Sequence, residues 1–244
     1  MRTKQAAILA GGLGTRLRPL THKIPKPMIE IHGKPFLEYQ LKYLKKEGIK
    51  KVVLLTGYLH EQIRSYFGDY FEGIKLTYSI EQKQLGTAGA LKKAEKLLEQ
   101  TFFVLNGDTY LPLKLHRLES FFLKKPNAIG ALSAYSGRSR VATYNLLIEK
   151  SGLVLAYSKN SPSTNFNSVD AGASIFKKEL LSFITHTPCS LEDEIYPKLI
   201  HDGLLYAIKT SLRFYDIGTF KRLDMAKKFF KRSVMERDNF NSSP

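Results

Sequence analysis

The chain has no tryptophan, a single cysteine, and only 22 Asp and Glu against 38 Lys and Arg in 244 residues. One cysteine, Cys189, excludes an internal disulfide and a cysteine metal cluster, which fits a reducing compartment; small packing filler is its expected role. Long apolar runs are also missing. After Met1-Arg2-Thr3-Lys4-Gln5 comes only the short, mostly apolar stretch Ala6 to Gly11, well below a signal h-region of about 7–15 residues or a membrane span near 20. No later segment reaches spanning length, so no targeting segment, no membrane and a cytoplasmic location are expected. No fixed-period repeat or low-complexity tract appears. His22, His32, His60, His116, His186 and His201 show neither metal-ligand spacing nor a nucleophile partner, which argues against structural zinc.

What is present is ordinary globular usage, 43% apolar and 25% charged, in a chain long enough to bury a core without staples. The charge balance is less ordinary. A formal net charge of +16 favours acidic partners: nucleic acid, an anionic membrane surface, phosphorylated small molecules, or none beyond solvent. Charge does not choose among them.

Hydrophobic patterning does give a fold class. A buried-strand segment at Ala6 to Leu9 runs into glycines and a basic, proline-punctuated stretch ending at Pro27. Leu37, Leu41 and Leu44 recur at helical spacing before Gly48, and Lys51 to Thr56 reads as a strand. A short helix at Glu61 to Phe67, a strand at Ile74 to Ile80, a helix at Ala90 to Leu98 and a strand at Phe102 to Leu105 continue the alternation. A helix at Leu115 to Lys125 and a strand at Ala128 to Ala134 follow, after which Val141 to Glu149 and Leu153 to Tyr157 flank Lys150-Ser151-Gly152 as an antiparallel hairpin. A polar loop over 158–168 precedes a strand at Val169 to Phe176. Ser190-Leu191-Glu192-Asp193 has capping-box spacing ahead of a run to Ile200. Strands at Leu204 to Ile208 and Phe214 to Ile217 and a basic helix from Phe220 to about Arg232 complete the pattern. The expectation is a three-layer, Rossmann-like α/β fold with a mostly parallel central sheet and small antiparallel elements, in one domain over 1–238 with a flexible tail at 239–244. In such sheets ligands gather beyond the carboxyl ends of the strands.

The sharpest chemical signal is Leu9-Ala10-Gly11-Gly12-Leu13-Gly14-Thr15-Arg16-Leu17-Arg18-Pro19-Leu20, followed by Ile24-Pro25-Lys26-Pro27-Met28. Small residues let backbone amides approach phosphate oxygens, and Arg16 and Lys26 can neutralise developing charge. A Walker A loop is excluded because the Gly-Lys-Ser/Thr ending is absent, and Leu17 replaces the last glycine of the dinucleotide fingerprint. Further candidates are Gln82, the turn Leu85-Gly86-Thr87-Ala88-Gly89-Ala90 feeding a helix, and Leu105-Asn106-Gly107-Asp108-Thr109, which sets a carboxylate at a strand end. Tyr58 follows another strand and is in reach of the same region.

Taken in order, these motifs resemble the sugar-1-phosphate nucleotidyltransferase family over nearly the full chain. The resemblance implies that Leu9, Ala10, Gly11, Gly12, Gly14 and Thr15 wrap a nucleoside triphosphate. It makes Arg16 the residue that holds the triphosphate and assists its reaction, and Lys26 a bridge between phosphates. Gln82, Gly86, Thr87, Asn106 and Gly107 are then further nucleotide contacts, and Arg16, Lys26 and Asp108 the catalytic group. Asp108 and Asp216, in Phe214-Tyr215-Asp216-Ile217-Gly218-Thr219, match the family's Mg²⁺ ligands; hard carboxylate oxygens suit that ion.

On the acceptor side Lys159, Asp170, Gly172 and Glu192 are the implied sugar-phosphate contacts. Ser158 stands where the family usually has a glutamate before the lysine, and Asp170 where Asn is common. The expected reaction is attack of a sugar 1-phosphate oxygen on the α-phosphorus of an NTP, giving NDP-sugar and pyrophosphate. Spacing and the Leu105 to Thr109 stretch look most like bacterial members that use GTP on heptose or mannose 1-phosphate, so GTP and D-glycero-D-manno-heptose 1-phosphate are the expected substrates. Uridylyl, thymidylyl or mannose-1-phosphate guanylyl transfer are the alternatives, and a basic nucleic-acid-binding module is the rival from another class. A homo-oligomer is expected from the resemblance, and the basic stretch Lys221 to Arg237 reads as an amphipathic surface or dimer-packing helix rather than a polyanion site.

Overall fold

The computed structural model describes residues 2–137, 143–158 and 164–241, with side chains of the last helix described through Lys231. Eight strands form one sheet: β1 Gln5–Ala10, β2 Lys51–Thr56, β3 Tyr70–Phe71, β4 Ile74–Ile80, β5 Thr101–Asn106, β6 Gly130–Tyr135, β7 Val169–Lys177 and β8 Leu205–Thr210. Their order is β8-β6-β7-β5-β1-β2-β4-β3. The run β5-β1-β2-β4 is parallel throughout, as is the β8-β6 pair. β7 runs antiparallel to both its neighbours, and β3 to β4.

Residue alternation sends successive side chains to opposite faces, which decides the layers. From β1 and β2, Ala6, Ile8, Val52 and Leu54 join one core, packed by α1 (Phe36–Lys46), α2 (His60–Phe67) and α4 (Leu115–Leu123). Ala7, Val53 and Leu55 join the other, covered by α3 (Gly86–Lys93) and α5 (Tyr196–His201). Strands buried on both faces read as unbroken apolar runs, which is why Lys51 to Thr56 shows no polar alternation. A third cluster docks α6 (Phe220–Asn241) through Leu223, Ala226 and Phe230 onto Leu17, Ile29, Phe36 and Ile217.

Several boundaries differ from the sequence expectation. α3 begins at Gly86, not Ala90, and ends at Lys93, with a 3₁₀ turn at Glu95–Leu97 in place of its expected last turn. Gly86 adopts φ +74°, a conformation glycine reaches without strain, so the helix starts where the loop can turn sharply. The hairpin is shorter, Leu146–Ile148 against Val154–Tyr157, with a bulge between Leu147 and Ile148; residues 141 and 142 of the expected strand lie outside the described residues. Ser190 caps its helix as the spacing implied, accepting the Asp193 amide at 3.1 Å, but the reciprocal acceptor for its own amide is Glu194 at 2.9 Å. That turn, Leu191–Ile195, is π-helical before α5. α6 continues to Asn241, past the expected end near Arg232, and takes in the first residues of the expected tail; no Gly or Pro interrupts the chain there to stop it. No described helix is long and apolar enough to cross a membrane.

Candidate active site

The carboxyl ends of the parallel strands open into a cavity of about 660 Å³. Leu9 and Ala10 from β1, Leu55 from β2 and Asn106 from β5 line its floor. The glycine-rich loop forms one wall. Gly14 takes φ +63°, and its carbonyl accepts the Thr21 hydroxyl at 2.9 Å, which pins the loop to its own return. Leu17 is fully buried in the cluster under α6. A side chain here, where a dinucleotide fingerprint has glycine, anchors the loop in the core and leaves Arg16 on the cavity wall.

At the far end of that loop Lys26 starts a 3₁₀ turn whose next residues, Pro27 and Met28, are buried. Its ammonium pairs with Asp108 Oδ2. Gly107 lets the turn that carries Asp108 lie against β1: its amide donates to the Leu9 carbonyl at 3.0 Å, and a Cβ there would lie 2.4 Å from that oxygen. The Asn106–Thr109 turn is also clamped from below. Gln40, fully buried on α1, donates its Nε2 to the carbonyls of Asn106 and Thr109, both at 2.8 Å. Burial opposes ionisation of Asp108, but the charge and hydrogen bond of Lys26, the Thr109 hydroxyl and Arg16 outweigh it and hold the carboxyl below its ordinary value.

Asp216 reaches the same place through a two-strand ribbon. Tyr215–Asp216 pairs antiparallel with Thr109–Tyr110, Asp216 opposite Thr109, and the Ile217 amide donates to the Asp108 carbonyl at 2.9 Å. Asp216 Oδ1 accepts the Gly218 amide at 2.9 Å and Arg222 Nη1 at 3.3 Å. A Cβ on Gly218 would stand 2.8 Å from Asp216 Oδ1, 3.4 Å from Arg16 Nη2 and 3.8 Å from Lys26 Nζ, so Asp216 and both cations surround one point, and Lys26 links it to Asp108.

A second cavity of about 440 Å³ adjoins the first and shares Arg16, Asn106, Asp108 and Glu192 with it. Asp170 and Gly172 line it because β7 bulges there: the register against β6 shifts between Asp170 and Ser174, and Gly172 takes φ +78°. Asp170 Oδ1 accepts the Gly172 amide at 2.9 Å. Glu192 is tied to the first cavity, its Oε2 accepting the Thr87 hydroxyl at 2.7 Å, while Thr87 in turn accepts the Leu191 amide at 2.8 Å. Tyr157, also on this wall, has its hydroxyl pKa pushed up by burial and then by Asp170, Glu192 and Asp193, which marks the wall as electronegative.

Of the residues singled out in the sequence, Leu9, Ala10, Gly11, Gly12, Gly14, Thr15, Arg16, Lys26, Gly86, Thr87, Asn106, Gly107 and Asp108 line the first cavity, and Asp170, Gly172, Glu192 and Asp216 the second. Lys159 lies outside the described residues. Gln82 is exposed and lines neither cavity; Glu81 and Gln84 stand on the wall instead. The Glu81 amide extends the β4 ladder by donating to the Thr56 carbonyl at 2.8 Å, so strand alternation turns Glu81 inward and Gln82 outward. Glu81 is half-buried, and burial raises its pKa against the opposing effect of the Leu85 amide. One oxygen takes that amide at 3.2 Å, and the other sits 2.6 Å from where a Gly11 Cβ would be. Tyr58 is not on the wall; its hydroxyl donates to the His22 carbonyl at 2.8 Å.

Two other features were not legible as spacing. Gln40 looks like any polar helix residue until the fold buries it under Asp108. His186, buried Cys189 and Glu194 bring potential ligand atoms within 4.8 Å of one another, the one such His/Cys/Asp/Glu group among the described residues.

A family model described as nucleotidyl transferase matches residues 5–233. Over 153 residues the chain is 44% identical to the D-glycero-alpha-D-manno-heptose 1-phosphate guanylyltransferase of Campylobacter jejuni, covering 63% of this chain and 67% of that protein. The protein of the same name from Aneurinibacillus thermoaerophilus is 37% identical over 220 residues, 88% of this chain and 93% of the relative. HddC from Yersinia pseudotuberculosis, solved in complex with GMP-PN, superposes with a TM-score of 0.80 at 31% identity, covering 93% of this chain and 100% of that one. With the family match running from β1 into α6 and taking in the walls of both cavities, the chain belongs to the nucleotidyl transferase family.

Proposed function

We propose that the protein transfers the guanylyl group of GTP to D-glycero-D-manno-heptose 1-phosphate, forming GDP-heptose and pyrophosphate. The observation that carries this reading is the shared wall of the two cavities, where Arg16, Asn106 and Asp108 face both. Two ligands held on either side of that wall meet at Arg16. A sugar 1-phosphate oxygen then attacks the α-phosphorus as the bond to the β-phosphate oxygen breaks, and the electron pair leaves with pyrophosphate. Such a displacement needs orientation and charge neutralisation rather than a protein nucleophile. Arg16 and Lys26, converging on Gly218, supply fixed positive charge where negative charge builds.

The donor set at Asp108 and Asp216 fits Mg²⁺: two hard carboxylates lining one cavity, each compensated by a neighbouring cation, Lys26 or Arg222. When bound there the ion would contribute Lewis-acid neutralisation of phosphate oxygens. The chain's own part is to hold the two carboxylates together through the Ile217 amide and the Gln40 clamp.

Support for guanine comes from Glu81. Guanine presents two adjacent donors, N1–H and N2–H₂, on its Watson–Crick edge, and a carboxylate accepts both; uracil and thymine offer one donor flanked by carbonyls, which a carboxylate repels. Support for a heptose acceptor comes from the relatives named heptose 1-phosphate guanylyltransferases. The same proposal places the enzyme in the cytoplasm as a homo-oligomer, for which light scattering after size-exclusion chromatography is the check. The deciding experiment supplies purified protein with Mg²⁺ and a matrix of NTPs and sugar 1-phosphates. GDP-heptose formation is expected; turnover of another pair with none of GDP-heptose overturns the substrate reading. Salt-sensitive RNA or DNA binding without any NTP turnover overturns the enzyme.

A further inference from the structure

We infer that His186, Cys189 and Glu194 form a Zn²⁺ site of their own, apart from the carboxylates of Asp108 and Asp216. Nitrogen, sulfur and oxygen ligand atoms from the three side chains lie within 4.8 Å of one another. Zinc draws its protein ligands from these three donor types, at about 2.0–2.3 Å from the ion. At those bond lengths the ligand atoms of a tetrahedral ion stand roughly 3.3–3.8 Å apart, so side-chain adjustment alone closes the cluster on one ion. His186 thus has the ligand partners that its spacing along the chain did not show.

The backbone sets the thiol in place. The Cys189 amide donates to the Leu85 carbonyl at 2.8 Å, and its own carbonyl accepts the Ala88 and Gly89 amides at 3.0 and 3.2 Å. Cys189 is buried and forms the floor, while the His186 and Glu194 side chains, 55% and 35% exposed, form the rim by which an ion enters. Glu194 divides its two oxygens. Oε1 accepts the Ser190 amide at 2.9 Å, which fixes the carboxylate, and Oε2 lies 2.9 Å from His186 Nε2. The Thr185 hydroxyl stands 3.5 Å from the other ring nitrogen, Nδ1, so Nε2 is the one turned to the cluster. Such outer contacts are what orient the ligands of a zinc ion.

Charge and donor type select the ion. Thiolate, carboxylate and neutral imidazole carry two negative charges between them, so Zn²⁺ leaves the set neutral, which suits a half-buried place. Without an ion, burial and then Glu194 hold the thiol above its ordinary value, against an opposing effect of Lys198. On binding, Sγ forms a bond to zinc and its proton passes to solvent. Mg²⁺ does not compete, because a hard ion prefers oxygen to thiolate and imidazole. Three protein ligands leave a fourth position for water. The ion would brace the segment that supplies Pro188 and Glu192 to the first cavity, without taking part in the transfer itself.

Cys189 is the one cysteine of the chain, so any thiolate-to-metal absorption band reports this site and no other. The full chain without an affinity tag, kept reduced with a phosphine in excess Mg²⁺, is titrated with Co²⁺ and then with Zn²⁺. A sulfur-to-cobalt charge-transfer band saturating at one equivalent, with d–d bands of tetrahedral intensity, is expected, and Zn²⁺ should abolish both. His186→Ala and Glu194→Gln should each weaken cobalt binding by at least about tenfold. Zn²⁺ should also raise the melting temperature of the wild type and leave that of His186→Ala unchanged. Absence of the charge-transfer band overturns the inference, and marks the cluster as an ion pair over an inert thiol. A band of equal affinity in both rim variants overturns it as well, since that is adventitious binding to the thiol only, and so does an equal rise in melting temperature in the two proteins. Both rim variants should fold, because His186 is exposed and Gln keeps an acceptor for the Ser190 amide. None of these readouts depends on which NTP or sugar 1-phosphate the enzyme uses.

Discussion

Asp216 lies directly across from Thr109 in a two-strand ribbon, and the Ile217 amide donates to the Asp108 carbonyl at 2.9 Å. One short pairing therefore brings together two carboxylates that are far apart along the chain. Each has its own cation, Lys26 for Asp108 and Arg222 for Asp216, and the site's response to mutation and pH follows from those pairs.

Asp108→Asn should lower turnover by roughly 100-fold or more, since it removes a carboxylate that would hold Mg²⁺ and that fixes Lys26. The same variant should change acid stability. The wild-type carboxyl is held below the ordinary 3.8, so its contribution is present above that pH and is lost as pH falls through the lowered value. Denaturant unfolding at a series of pH values should show a shallower acid limb in Asp108→Asn. Identical limbs would remove the Lys26 pair from the account.

Glu81→Gln should cut kcat/KM for GTP by about 10–100-fold and raise the relative use of UTP, because the amide presents one acceptor and one donor group to a base edge with two donors. Burial raises the pKa of Glu81, and guanine donors favour its ionised form. GTP affinity should then increase as pH rises through that raised value, and Gln should abolish the increment beyond that of the triphosphate itself. Calorimetric titration of both proteins across pH is the measurement; superimposable profiles would exclude Glu81 as the base contact.

Gln40→Leu tests the clamp beneath the Asn106–Thr109 turn. The variant leaves the carbonyls of Asn106 and Thr109 without their buried donor, at a cost of about 1–3 kcal/mol for each unsatisfied group. A drop in kcat with nearly constant KM values, alongside a lower melting temperature, is expected. Full activity in a destabilised variant would limit Gln40 to folding.

Gly86→Ala should destabilise by about 1–3 kcal/mol or more. A Cβ there would sit 2.3 Å from the Cys189 carbonyl oxygen, and the backbone has φ +74°. The same carbonyl accepts the Ala88 and Gly89 amides at 3.0 and 3.2 Å, so any shift also moves the cavity-lining start of α3. Thermal melts should fall by roughly 2–4 °C for each kcal/mol, with a raised KM for the NTP. An unchanged melt would mean that the segment holding Cys189 yields freely.

Much of this molecule follows from local rules. Unbroken apolar runs gave β1 and β2 because strands buried on both faces have no polar side to show. The spacing of Leu37, Leu41 and Leu44 gave α1 because those side chains share one helical face. The loop from Gly11 to Met28 stood out because phosphate-wrapping backbone needs small residues and fixed turns in a set order. Cys189 was readable as packing because a lone thiol has no disulfide partner.

Other assignments depend on contacts between distant segments. That Glu81, not Gln82, faces the cavity depends on how far the β4 ladder runs past Ile80, which the Thr56 carbonyl decides. Gln40 acquires its role only when α1 packs under the Asn106–Thr109 turn. The gathering of His186, Cys189 and Glu194 required a π-helical turn that no spacing rule announces. Most of all, the union of Asp108, Asp216 and Arg222 is set by a two-residue strand pairing and by the burial of Leu223 and Phe230. The sequence by itself determined the layers, the strands of the parallel sheet and the glycine-rich loop, because these arise from neighbouring residues. Which charges face each other was decided by the tertiary structure, because electrostatic partners are fixed by distance in space and not by distance along the chain.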